Sequence, residues 1–233
     1  MTLDHGIQYG WWLELGTVDY ERALAWQRNL VKMRQGGLAR DTIILLEHPP
    51  VVTVGKDGHE ENYKSLAEQA VFVERGGDVT FHGPGQLVAY FIFNVARRGR
   101  DVKKFMSNIQ QGIIDTMAEY DITARKDDEY TGVWVKDRKI ASVGVAIKKW
   151  ISFHGAAINL TTDLSSFDTI NPCGLNSKIM TSLSALTGTE IDRYAFGLKL
   201  VEKYVAVFET DFRPITLDEL DEDIKSQSGG DHV

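Results

Sequence analysis

Arg75-Gly76-Gly77-Asp78-Val79-Thr80-Phe81-His82-Gly83-Pro84-Gly85-Gln86-Leu87-Val88-Ala89-Tyr90 is the most informative stretch of this 233-residue chain. Two glycines, a Thr-Phe-His step and a Gly-Pro-Gly corner feed directly into an apolar strand. Glycines at 76, 77, 83 and 85 allow positive φ and close approach of another molecule. His82 lies between two such points. Two readings are open from the residues alone. One is a ligand-contacting loop, since loops that are hard to hold in shape usually serve a site. The other is a tight hairpin turn with Pro84 at its corner.

Working outward, residues 18–35 read as an amphipathic helix, with Ala23, Trp26, Leu30 and Met33 at helical spacing and Gly36-Gly37 as its stop. Thr42 to Glu47 and Val51 to Val54 read as short strands around His48-Pro49-Pro50, a corner no helix crosses. Strands are expected at 70–74 and 86–95, either side of the glycine-rich loop. Residues 101–120 form the clearest helix, with Val102, Phe105, Met106, Ile109, Ile113 and Met117 on one face. A hairpin over Lys136-Asp137-Arg138, a strand at 151–160 and helices near 178–186 and 192–209 complete the pattern. There is no regular βαβ alternation, so the expected class is α+β with a mixed sheet packed by helices.

Composition is that of an ordinary globular enzyme, with 43% hydrophobic and 25% charged residues. No apolar run is long enough to span a bilayer. Met1-Thr2-Leu3-Asp4-His5-Gly6 resembles neither a secretory signal nor an Arg-rich transit peptide, so a cytoplasmic location is expected. Residues 218–233 carry a net −5 of the total −7, leaving the body at −2. Residues 214–233 are therefore expected to be an acidic, disordered tail, and residues 1–213 a single catalytic domain. The body is not basic and no nucleic-acid motif is visible. No His, Cys and carboxylate cluster has metal-ligand spacing.

Cys173, in Asn171-Pro172-Cys173-Gly174, is the single cysteine. It cannot form an internal disulfide, which fits a reducing compartment. A lone cysteine is commonly a small buried apolar residue, but Pro172 and Gly174 put this one in a turn, where a thiol is more often exposed and reactive.

Four stretches together resemble the lipoyl (octanoyl) transferases: Arg75 to Tyr90, Lys139-Ile140-Ala141-Ser142-Val143-Gly144, Ser152-Phe153-His154-Gly155-Ala156-Ala157-Ile158-Asn159, and Asn171-Pro172-Cys173-Gly174. Leu46 to Gly55 is similar to that family's early strand pair. The resemblance covers roughly residues 15 to 210. It implies the fold shared with biotin and lipoate ligases, with a smaller sheet beside the main one. It implies Cys173 as nucleophile and Lys139 as its catalytic partner. It also implies an acyl-binding wall of Arg75, Gly76, Gly77, Asp78, Val79, Thr80, Phe81, His82, Ser142, Val143, Gly144, Gly155, Ala156 and Ala157. The implied donor is octanoyl-acyl carrier protein. The implied acceptors are lipoyl domains of 2-oxoacid dehydrogenases and the glycine cleavage H protein, with no cofactor, nucleic acid or membrane involved.

That chemistry is physically sensible. An acyl group passed through a thiol splits one difficult transfer into two easier ones. A free thiol has a pKa of about 8.5 and is mostly protonated at neutral pH, so a nearby cation helps. A substrate lysine must lose a proton before it attacks, and either Lys139 or the Cys173 thiolate could take it. Backbone N–H groups near Ser142 to Gly144 and Gly155 to Ala157 are candidate oxyanion donors. His82 is a candidate contact for the acyl carbonyl, whereas His48 and His154 are expected to be hydrogen-bonded supports. The run Arg97-Arg98-Gly99-Arg100-Asp101-Val102-Lys103-Lys104 is either a solvated loop or a docking patch for an acidic carrier protein.

Three alternatives are weighed against this reading. An ATP-dependent lipoate ligase would carry Ser-Gly-Gly-Gly where this chain has Arg75-Gly76-Gly77-Asp78. Related amidotransferases use a cysteine elsewhere in the chain. A non-catalytic carrier-binding module would not need Cys173.

Overall fold

The computed structural model describes residues 8–66, 68–127, 129–171 and 176–228. Ile43-Ile44-Leu45-Leu46 shows how the sequence dictates the architecture. These residues form strand β2 (Thr42–Glu47), and successive side chains of a strand point to opposite faces. Ile43 and Leu45 pack into one hydrophobic core and Ile44 and Leu46 into another. A strand without polar alternation is one covered on both faces. Strand β6 (Gln86–Ile92) behaves likewise, with Leu87, Ala89 and Phe91 on one side and Val88, Tyr90 and Ile92 on the other.

Nine other strands surround these two: β1 (Gln8–Thr17), β3 (Val51–Val54), β4 (Val71–Phe72), β5 (Val79–His82), β7 (Arg125–Lys126), β8 (Val133–Val135), β9 (Arg138–Lys148), β10 (Ile151–Asn159) and β11 (Thr210–Pro214). The main sheet has eight strands in the order β11-β1-β2-β6-β10-β9-β8-β7, and a three-stranded sheet β4-β3-β5 stands beside it. β1 runs parallel to both of its neighbours, while the remaining pairs of the main sheet are antiparallel. This is the expected mixed sheet with its smaller companion.

Helices α2 (Val102–Ala118) and α4 (Arg193–Phe208) cover one face, where Phe105, Ile109, Phe196 and Tyr204 share a core with Phe91, and the Tyr204 ring meets that of Phe91 edge-on. Helix α1 (Tyr20–Gln35) covers the other face through Ala23, Leu30 and Val31. Asp19 caps α1, its carboxylate accepting from the N–H groups of Glu21 and Arg22.

Four expectations are corrected. Residues 217–228, expected to be disordered, form helix α5 (Leu217–Ser228), which buries Leu220 and Ile224 beside α1. Strands β1 and β11 were not expected. The glycine-rich stretch contains β5 and is not a continuous loop. The single helix expected at 178–186 is a 3-10 turn (Ser177–Ile179), an extended step, and a short helix α3 (Leu183–Thr187). The extended step exists because Thr181 donates its N–H to the Lys139 carbonyl (3.0 Å), while Ser182 caps α3.

The basic run begins at Arg97, on a 3-10 turn (Val95–Arg98) that follows β6. β6 itself spans about 20 Å. Arg98 is part of the fold: with Arg34 it grips the buried carboxylate of Asp41 (2.8 and 2.9 Å), and it donates to the Phe208 carbonyl. Arg97 and Arg100 are exposed.

Candidate active site

A cavity of about 320 Å³ opens between the α1-side face of the main sheet and the small sheet. Its roof begins with Arg75. The guanidinium donates to the carbonyls of Thr53 (2.9 Å) and Asp78 (2.7 Å) and to the Thr53 hydroxyl (2.9 Å). Gly77 has φ 83° and gives its N–H to Asp57 Oδ2. Gly76 gives its N–H to the Val145 carbonyl (3.1 Å), so the segment lies across β9. The Asp78 carboxylate is fixed by Asn62 and by the N–H groups of His59 and Val79.

β5 then presents Thr80 and His82 to the cavity. Phe81 is a correction. As the intervening residue on a strand it faces away, with its ring 5.6 Å from that of Phe167 in a separate hydrophobic cluster.

His82 lines the cavity, but both ring nitrogens are engaged. Nδ1 donates to Gln86 Oε1 (2.7 Å), and Nε2 faces the Thr53 hydroxyl at 3.5 Å. Burial, reinforced by His48, pushes its pKa down to about 3, so the ring is neutral. Gln86 donates to Asn159 Oδ1 (2.9 Å), and Asn159 donates to the Thr181 carbonyl (3.0 Å). Thr181 in turn donates to the carbonyl of Lys139. A continuous chain of hydrogen bonds thus links Arg75 to the backbone of Lys139.

Lys139 is 2% exposed although it is a lysine just after a hairpin turn. It lines the cavity, and its Nζ lies 5.8 Å from the centre of the Trp134 ring. Gly132 makes room for it. Gly132 has φ 146°, and a Cβ there would lie 2.5 Å from Lys139 Cε. Gln110 of α2 holds the Gly132 carbonyl (2.8 Å).

Ser142, Val143, Gly144, Gly155, Ala156 and Ala157 all line the cavity. Their backbones are not equivalent. β10 lies between β6 and β9, so the backbone groups of Gly155 to Ala157 belong to ladders on both sides. The expectation that they supply oxyanion donors is corrected. Gly155 is glycine because a Cβ would meet the Ala89 carbonyl at 2.0 Å. On β9, Val145 turns its carbonyl to Gly76, and residues two apart face the same edge. Val143 therefore points its backbone N–H to that outer edge, beyond the end of β8.

Tyr20, Tyr90 and His154 also line the cavity and were not expected to. His48 receives the Tyr90 hydroxyl on Nε2 and gives Nδ1–H to the Val18 carbonyl, both at 2.7 Å. His154 was expected to be a hydrogen-bonded support. Its backbone N–H is bonded to Gln27 Oε1 (2.8 Å), and its ring Nε2 faces Glu74 Oε2 at 3.7 Å, beyond hydrogen-bond distance. Cys173 lies outside the described residues. On either side of it, Asn171 donates its N–H to the Asn62 carbonyl (2.9 Å), and Met180 pairs with Lys139. Among the described residues no group of His, Cys, Asp or Glu could hold a metal ion, and no helix is long and apolar enough to cross a membrane.

Comparison with known proteins gives this site a family. The lipoyl protein ligase A/B catalytic domain matches residues 19–205. The octanoyltransferase of Caldicellulosiruptor saccharolyticus is 42% identical over 91% of this chain and 94% of its own. That of Thermoanaerobacter pseudethanolicus is 43% identical over 89% and 94%. The chain belongs to the octanoyltransferase family. This octanoyltransferase-family fold also matches a crystal structure of lipoate-protein ligase A bound with ATP (TM-score 0.74, 15% identity, 96% of this chain and 95% of that one). It matches a putative lipoate protein ligase from T. acidophilum with bound lipoic acid nearly as well (TM-score 0.73, 17% identity, 94% of each chain). At these identities the structural matches speak for the fold alone.

Proposed function

We propose that the protein takes an octanoyl (or lipoyl) group from acyl carrier protein onto Cys173 and passes it to the ε-amino group of a lysine on a lipoyl domain. The observation that carries this reading is Lys139: a lysine buried inside an acyl-sized cavity, on the strand to which the chain returns at Met180 after Cys173.

In the first half-reaction the Cys173 thiolate attacks the donor thioester carbonyl. The carbon–sulfur bond to the carrier breaks, and the carrier sulfur leaves as a thiol once it gains a proton. In the second, the acceptor amine attacks the Cys173 thioester, and the amide forms as Cys173 leaves. The proton lost by the amine passes to Lys139 or to the departing sulfur. A cation beside the thiol favours the thiolate. The Val143 N–H, on the outer edge of β9, is the donor best oriented for the developing oxyanion. The donor is already activated as a thioester, so no ATP is consumed.

The test is intact mass after mixing with octanoyl-acyl carrier protein without ATP. One octanoyl group should appear on the protein and be removed by hydroxylamine. No adduct in a single turnover, or the same adduct on Cys173→Ala, would overturn the covalent route.

A further inference from the structure

A second pocket, of about 220 Å³, lies outside the acyl cavity and shares no residue with it. The cavity touches β6 through Val88 and Tyr90, whereas this pocket lies past the end of that strand, where Asp41 accepts from the Asn94 N–H. Tyr9, Arg34, Arg40, Asp41, Arg97 and Thr210 are among its walls. Three of those side chains are cations and one is an anion.

The anion is already saturated. Asp41 Oδ1 accepts from Arg34 Nε (2.9 Å) and from the Asn94 N–H (2.8 Å), and Oδ2 accepts from Arg98 Nε and Nη2 (3.1 and 2.8 Å). The Thr210 hydroxyl accepts from Arg98 and donates to the Phe208 carbonyl. Nearby, Arg213 holds Asp211 at 2.8 Å. The carbonyls of the last turn of α1 would repel an anion. Those of Lys32, Met33 and Arg34 are occupied by the N–H groups of Gly36, Leu38 and Gly37.

The arginine donors are not saturated. Arg34 holds Asp41 through Nε alone; among the described residues its Nη groups donate to nothing, and they keep accessible surface. The Arg40 guanidinium lies 3.7 Å from the centre of the Tyr9 ring, a contact that fixes it in place. Arg97 is exposed. Neither Arg40 nor Arg97 makes an ion pair among the described residues. Four guanidinium groups, counting Arg98, therefore surround one carboxylate. Guanidinium groups bind oxyanions through paired N–H donors. A carboxylate ligand would bring two oxygens and one charge, whereas a phosphate group brings three acceptor oxygens and about two charges.

We propose that this pocket binds a dianionic phosphate group, held by the Nη groups of Arg34 together with Arg40 and Arg97. The phosphate is either free or the end of a small monoester. The site is separate from the acyl cavity and makes no demand on the transfer chemistry.

The experiment titrates the full chain with inorganic phosphate, by calorimetry and by thermal unfolding, at pH 8 and at ionic strength held constant with sodium chloride. One phosphate should bind per chain, half-saturating on the order of 1 mM or below, the affinity that two charge-assisted hydrogen bonds supply. At ten times that concentration Tm should rise by about 3–5 °C. Sulfate should compete, and chloride at equal ionic strength should not. Arg40→Gln/Arg97→Gln should weaken binding at least tenfold and leave octanoyl transfer within about twofold of wild type. Lys103→Gln/Lys104→Gln removes the same charge from the exposed start of α2 and should leave phosphate binding unchanged. Phenyl phosphate separates the two sources: tighter binding than inorganic phosphate marks a monoester site, and weaker binding a site for free phosphate. A rise in Tm that never saturates is the general salting effect of phosphate, and it would overturn the proposal. So would equal binding by the arginine variant, equal losses in the two double variants, or no response at all, as when Asp4 of the same chain already answers the arginines. Where the arginine variant is not obtained folded, the sulfate and chloride titrations of the wild-type protein decide the matter.

Discussion

Gly132 and Lys139 are packed against each other: a Cβ on the glycine would lie 2.5 Å from the lysine's Cε, and equally 2.5 Å from the Ala141 carbonyl on the same strand. The contact is local to β8 and β9, and it aligns the one buried lysine of the cavity. A side chain at 132 must therefore move either the strand or the lysine.

Gly132→Ala should lower transfer by about 10²-fold or more, approaching the loss from Lys139→Ala, since proton-transfer groups typically contribute roughly 10²–10⁴. The discriminating measurement is the double variant. If Gly132 acts through Lys139, Gly132→Ala/Lys139→Ala is no slower than Lys139→Ala. Losses that multiply would show that Gly132 serves something else.

Phe81→Ala should cost stability and spare the site. Its ring belongs to the cluster with Phe167, Val54 and Met180. Deleting a buried phenylalanine costs about 3–5 kcal/mol. Urea unfolding should show that loss, while KM for the acyl donor in the folded fraction stays within about twofold. A large rise in KM with unchanged stability would return Phe81 to the acyl wall.

Arg97 and Arg98 should separate cleanly. Arg98→Ser leaves the buried Asp41 with Arg34 as its remaining ion-pair partner and should destabilise by about 3 kcal/mol. Arg97→Ser, at an exposed site, should stay within about 0.5 kcal/mol. Denaturation midpoints of the two variants decide this. Equal midpoints would contradict the structural role of Arg98.

Stability should fall on the acid side of neutrality because of His82 and His154. Their folded pKa values, about 3 and about 4, lie below the ordinary 6.5, with burial the chief cause for both. Between these limits the unfolded chain binds more protons, so stability rises with pH. The contribution is complete above pH 6.5 and is lost as pH drops towards 4 and then 3. Each histidine should cost roughly 2 kcal/mol between pH 7 and pH 5. His82→Gln should flatten the pH dependence of urea unfolding by about that amount. A profile as steep as wild type would show that His82 is not the group being titrated.

The legible parts of the fold were those governed by one local rule. Ile43 to Leu46 and Leu87 to Ile92 announce buried strands by unbroken apolarity, and the stripe along α2 announces a helix. The C-terminal helix was misread because its acids dominate composition, although Leu217, Leu220 and Ile224 recur at helical spacing. β1 and β11 escaped because they are stabilised by each other and by β2, across most of the chain length. In the site, His82 stood out between its glycines, whereas Arg75 and Lys139 were named only through the family resemblance, since a lysine after a hairpin turn otherwise reads as a solvated edge residue. Gly132 did not, because what requires a glycine there is the Lys139 side chain and the Ala141 carbonyl on the next strand. His154 did not either, since nothing about a histidine forecasts a left-handed backbone in the middle of a strand.

The pairing of β1 with β11 has a consequence for synthesis. Gln8 meets Thr210 and Trp12 meets Pro214, so β1 waits for a partner strand made about two hundred residues later. Until then β1 has β2 on one side and an open edge on the other, with Tyr9, Trp11 and Trp12 along it. An uncovered edge of that kind templates association between chains. Chains interrupted before Thr210 should therefore aggregate through β1, and chains carried past Pro214 should not.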